Sequence, residues 1–131
     1  NKQYCDVQPK WFILVRGTKT VDDVILDMKL ILAVAHDSNN ELFDRVVDMY
    51  KENVSKILKE NKATEYDSIE LVGHSLGGCI CEALMMVLKE DFASLKAFVF
   101  DTPGTPNSFR CKNHDPNDHS KPLQGLTTLN S

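Results

Sequence analysis

Ile69-Glu70-Leu71-Val72-Gly73-His74-Ser75-Leu76-Gly77-Gly78-Cys79-Ile80-Cys81 is the stretch that decides the fold of this chain. A mostly apolar run, Ile69 to Val72, leads into Gly73-His74-Ser75-Leu76-Gly77, and an apolar-periodic segment, Cys79 to Leu88, leaves it. That pattern predicts a strand, a sharp turn and a helix, the setting of a nucleophile elbow. Such a turn strains the serine backbone, and glycine at 73 and 77 removes side chains that would strike the adjoining strand and helix. Ser75 is then expected to project its hydroxyl from the C-terminal edge of a sheet. It would do so at a helix N-terminus whose amides and dipole favour developing negative charge, which suits acyl transfer.

Outward from the elbow, the chain alternates strands and helices. Trp11 to Val15 is an apolar, partly β-branched run ended by Arg16-Gly17, as expected of a central strand followed by a functional turn. Thr20 is a plausible helix cap, with Asp23 three positions on and Val21, Val24, Ile25, Met28, Ile31 and Leu32 at helical spacing. Asp37 to Asn40 is a turn cluster in which Asn40 suits a second cap. From there Phe43, Val46, Val47, Tyr50, Val54, Ile57 and Leu58 form one apolar helix face of about five turns. A polar link, Asn61 to Ser68, returns the chain to the elbow strand, and Ala97 to Phe100 reads as a further buried strand. Strand-helix-strand crossovers imply a mostly parallel sheet flanked by helices, hence an α/β fold. Beyond Asp101, Pro103, Pro106, Pro116 and Pro122 predict a long loop, so residues 108–131 read as a loop-rich tail in which Leu126 to Leu129 alone looks like strand.

Composition bounds the function. The 131 residues suit one domain, and 42% apolar with 26% charged residues is ordinary globular usage. Net charge is −4 with no basic stripe, which argues against nucleic acid as a partner. Apolar runs fall well short of the roughly 20 residues of a membrane helix. The chain begins without Met, so upstream residues are expected and the compartment is left open, cytoplasmic or membrane-peripheral being favoured over secreted. Cys79 and Cys81 read as small buried fillers, and a Cys5 to Cys111 disulfide in a secreted form is not decided by spacing.

Ser75 needs helpers: a histidine to take its proton, a carboxylate to orient that histidine, and donors for the oxyanion. The backbone N–H of Leu76 is supplied by the turn, and Thr18, in the turn after the first strand, offers an N–H and a hydroxyl. Asp101, ending the strand after the elbow helix, is a candidate acid. His114 and His119 read as solvated loop residues, His36 precedes Ser75 in the chain, and His74 is expected to point away from Ser75 and to pack. Cys111, His114, Asp115, Asp118 and His119 fall within a short span but match no closed four-ligand pattern, so no metal is expected.

These blocks resemble the class 3 lipases of the α/β-hydrolase fold. Phe12 to Met28, with Arg16-Gly17-Thr18 and Asp27-Met28, is similar to the family's Arg-Gly-Thr/Ser block and trailing Asp-Leu. Gly73 to Gly78 is similar to its Gly-His-Ser-Leu-Gly-Gly elbow, and Phe98 to Asn107 to its Gly-Ser-Pro-x-x-Gly-Asn strand end. The Arg16 block and Leu95 to Gly104 also resemble sn-1-specific diacylglycerol lipases. The resemblance implies a partial α/β-hydrolase with later strands missing, Ser75 as nucleophile, Thr18 and Leu76 as oxyanion hole, and Val21 to Ile25 at the place of the fungal lid. Val21, Val24 and Ile25 suit a plain core-facing stripe better, and Arg16 with Asp27 is expected to be a structural pair. Family order places the acid and histidine later than this chain reaches, and Asp101 stands where the family has Gly.

The expected function is therefore hydrolysis of acylglycerol or phospholipid esters through a Ser75 acyl-enzyme, without cofactor and with transient contact at a lipid interface. The alternatives are a non-catalytic interaction module on the same scaffold and a serine hydrolase for non-lipid esters. An exposed sheet edge is expected to need a second copy or another chain to cover it.

Overall fold

The computed structural model describes residues 9–16, 41–115, 117, 118 and 121–130. The expected helix from Val21 to Leu32, its Thr20 cap, the Asp37 to Asn40 turn and Cys5 lie outside these residues.

Four strands, β1 (Lys10–Val15), β2 (Ser68–His74), β3 (Ser94–Phe100) and β4 (Leu126–Leu129), form one parallel sheet in the order β1-β2-β3-β4. Three helices are described: α1 (Glu41–Glu60), α2 (Leu76–Leu88) and α3 (Asn107–Asn113). This is the partial α/β-hydrolase fold that the chain predicts.

Side-chain alternation sorts the sheet into two faces. The register aligns Trp11 with Ile69 and Leu95, Ile13 with Leu71 and Ala97, and Val15 with Gly73 and Val99, and these rows meet the core. The elbow helix α2 packs on β1, β2 and β3, and α1 packs on α2. Phe43, Val47, Val54 and Leu58 of α1 are buried, as expected, but Ile57 lies at the rim of that stripe and is 55% exposed. The helix ends in a Schellman arrangement: Lys62 at φ 61° donates to the Lys59 carbonyl and Ala63 to that of Leu58. A buried carboxylate then fixes the foot of the sheet. Asp67 accepts from Trp11 Nε1 at 2.9 Å, from the Thr64 N–H at 3.1 Å and from the Thr64 hydroxyl at 2.8 Å, ties β1 to the turn before β2, and is held below its ordinary pKa chiefly by the Trp11 bond.

One expectation fails after Asp101, where the prolines point to a long loop and α3 stands. Proline opposes a helix only where its ring meets a preceding turn or its missing N–H is needed. Pro106 precedes the first turn at φ −54° and only accepts there, from the N–H groups of Phe109 and Arg110. So short a helix is marginal alone, and packing holds it: Phe109 is buried edge-to-face on Phe43, 5.2 Å between centroids. β4 forms as expected, parallel to β3.

A sheet whose strands advance in one direction through right-handed crossovers receives its connecting helices on one face. The other face carries Phe12 (64% exposed), Leu14 (76%), Phe100 (37%) and Leu129 (42%), with Lys10 and Glu70 paired at 3.2 Å toward its N-terminal end. Parallel sheets are ordinarily covered on both faces. In sedimentation velocity the 131-residue chain is therefore expected to show species larger than the monomer. Replacing Phe12 and Leu14 together by Lys should raise the monomer fraction without loss of secondary structure.

Candidate active site

Ser75 joins β2 to α2 at φ 56° and ψ −119°, a backbone conformation that L-residues rarely adopt. The strain is held from both sides. Its N–H donates to the Phe100 carbonyl at 2.9 Å, and its own carbonyl accepts the first helical bond, from the Cys79 N–H at 3.2 Å. The glycines permit the approach. A Cβ on Gly73 would lie 2.4 Å from the Gly77 carbonyl oxygen and 2.7 Å from the Gly78 nitrogen, and one on Gly78 would lie 3.0 Å from Thr102 Cβ. Ser75 and Leu76 are half-buried at the C-terminal end of the sheet, where open parallel sheets bind ligands. The first N–H groups of α2, Leu76 among them, have no carbonyl one turn back within the helix.

Leaving β3, the chain crosses this helix. Thr102 rests against Gly78, its hydroxyl accepting from the Gly104 N–H at 3.2 Å, and the Thr105 hydroxyl donates to Glu82 Oε2 at 2.9 Å. Glu82 is 5% exposed in a helix otherwise built from apolar and small residues. Sequence reasoning passed over it. The available signal was a single charged residue inside an apolar run. Burial is the main cause raising its pKa from the ordinary 4.5, opposed by the Thr105 bond and the Arg110 charge. Cys79 and Cys81 are buried beside it, and burial pushes both thiols up to about 12, which leaves them fillers rather than nucleophiles.

His74 departs from expectation. It is exposed rather than packed, and its Nε2 lies 3.3 Å from Asp101 Oδ2. Asp101 has φ 50°, and its N–H donates to the Leu129 carbonyl at 2.9 Å. Left-handed backbone is cheapest for glycine and tolerable for aspartate, so Asp101 can hold this corner. His114 is engaged with the Lys121 carbonyl, 2.8 Å from Nε2. Thr18, His36 and His119 lie outside the described residues, as does Asp27; Arg16 is exposed at the end of β1. Around the polar cluster, Asp115 accepts from the Asn117 N–H and faces Lys121 Nζ at 3.3 Å, while Cys111 is a free, exposed thiol. Among the described residues no three potential ligands converge as a metal site would require. A cavity of about 580 Å³ opens at the other end of the sheet, between Met85, Lys89, Leu95, Leu123 and Gly125. None of its walls comes from the elbow, so the chemistry of Ser75 is not placed there.

Residues 12–120 match the family model described as lipase (class 3), and the chain belongs to that family. Membership implies carboxylic ester hydrolysis on lipid esters. No curated protein and no solved structure matches the chain.

Two outcomes follow from this geometry. Gly73→Ala is expected to cost about 1–3 kcal/mol or more in urea denaturation, because rigid backbone stands in the way, and Gly78→Ala less, because a threonine side chain can yield. For Glu82, folding raises the pKa, so the native state holds its proton more tightly than the unfolded chain. The resulting penalty is absent below the unfolded pKa of 4.5, grows as pH rises and is complete above the folded pKa. Glu82→Gln is therefore expected to stabilise the protein near neutral pH, with the gain shrinking toward zero below pH 4.5 in urea melts run across a pH series.

Proposed function

We propose that the protein is a serine ester hydrolase for acylglycerol or phospholipid esters, with Ser75 as nucleophile. The observation that carries this is a strained serine at the start of α2, on the C-terminal edge of a parallel sheet, in a class 3 lipase chain. Ser75 Oγ attacks the ester carbonyl, and the Leu76 N–H and Thr18 receive the oxyanion. A base takes the serine proton and returns it to the departing alkoxide. Collapse releases the alcohol and leaves an acyl-enzyme, which water converts to a carboxylic acid and free serine. No step calls for a cofactor. Asp101 enters this reading as a carboxylate engaged with His74; to serve as triad acid it must exchange that partner for the histidine that serves Ser75. The diacylglycerol lipase-like subtype rests on the Arg16 block and Leu95 to Gly104.

The engagement of His74 and His114 elsewhere favours one rival, a non-catalytic interaction module on the same scaffold. Labelling with a fluorophosphonate separates the two. A covalent adduct on Ser75, lost in Ser75→Ala, is expected, and a folded protein that stays unlabelled sinks the hydrolase reading. Across acyl esters of increasing chain length, rates are expected to rise once the substrate forms an interface. A steady fall with no interfacial gain would point to non-lipid esters.

A further inference from the structure

We propose that Glu82 is a positioning residue that, through Thr105, fastens the segment 101–106 along α2 and so holds the backbone beneath Ser75. Gly78 and Glu82 are four residues apart and therefore share one face of the helix. The segment lies along that face, Thr102 against Gly78 and the Thr105 hydroxyl on Glu82 Oε2 at 2.9 Å. Its other end is tied to the elbow, because the carbonyl of Phe100 holds the Ser75 N–H at 2.9 Å and the next residue, Asp101, is at φ 50°.

Between these ends the chain has no regular structure, and Pro103 is exposed. Its placement depends on what grips it. An apolar residue at 82 would fill the core equally well and leave Thr105 without an acceptor. A buried carboxylate is costly to desolvate, and a hydroxyl bond that fixes a neighbouring segment is the kind of specificity such a group can supply. Arg110 of α3 is the charged group acting on it, and Glu82 in turn raises the pKa of the neighbouring thiols of Cys79 and Cys81. When the grip is released, the Phe100 carbonyl moves relative to Ser75, and the strained φ and the aim of the Leu76 N–H are no longer held.

For its catalytic consequence this inference rests on the ester-hydrolase reading, so the test has two independent readouts. Glu82→Ala, Glu82→Gln, Thr105→Val and Thr105→Ser are compared in the full chain by amide hydrogen exchange at Ser75 and Asp101 and by the rate of fluorophosphonate labelling. Glu82→Ala and Thr105→Val are expected to speed exchange and slow labelling, each by about tenfold, the scale of one buried hydrogen bond. Glu82→Gln and Thr105→Ser keep the acceptor and the donor and should stay within about twofold on the same scale. Unchanged exchange in folded Glu82→Ala and Thr105→Val overturns the proposal, and so does faster exchange with unchanged labelling. If Glu82→Ala fails to fold, Thr105→Val decides. An unlabelled parent protein overturns the hydrolase reading instead, and exchange alone then decides whether the segment is fastened.

Discussion

The close approach of β2 to α2 at Gly73 anchors everything around the elbow. A strand that turns directly into a helix within a residue must let its last turnward Cα pass against the helix backbone. Here the space for a Cβ is already taken by the Gly77 carbonyl, 2.4 Å away. The same turn forces Ser75 to φ 56° and brings its N–H to the Phe100 carbonyl. Strand, helix and the neighbouring strand end are therefore fixed together by one residue. Such strain persists only where surrounding structure over-determines it, and this turn is enclosed by α2, β3 and the segment after β3.

Chain direction explains the asymmetry of the molecule. Each strand is added beside the last in one direction, and the described helices α1 and α2 pack toward the face of Ile69, Leu71 and Val99. The opposite face keeps Phe12 and Leu14 open. The C-terminal edge gathers the chemistry, because a parallel sheet points every strand end, and every turn that follows it, to one side. Arg16, Ser75 and Asp101 each follow the C-terminal end of one of three adjacent strands. The carboxylates do different work by location: Asp67, with three donors and a lowered pKa, pins the far end, while Glu82, buried with the Thr105 hydroxyl as donor and a raised pKa, touches the segment beside the elbow.

Periodicity sufficed where a residue's fate follows from its own element. Phe43, Val47, Val54 and Leu58 recur at helical spacing and are buried; Leu126 to Leu129 reads as strand and is one. It misplaced Ile57 because the width of a buried stripe is set by the partner's shape and not by the helix. It missed α3 because Phe109 has its reason to be helical in Phe43, sixty-six positions away. It misjudged His74, whose partner Asp101 is brought close only when β3 is aligned beside β2.

The elbow, the α/β class, the family blocks and Ser75 as the reactive candidate are legible in the residues alone, because glycine, serine and apolar spacing act through local backbone geometry. The pairing of Asp101 with His74, the burial of Glu82 against Thr105 and the exposure of Phe12 and Leu14 come from the assembled fold. Those outcomes depend on which strands become neighbours and on which side each crossover passes. Such long-range distances are absent from any local pattern and arise when the sheet closes around the strain at Ser75.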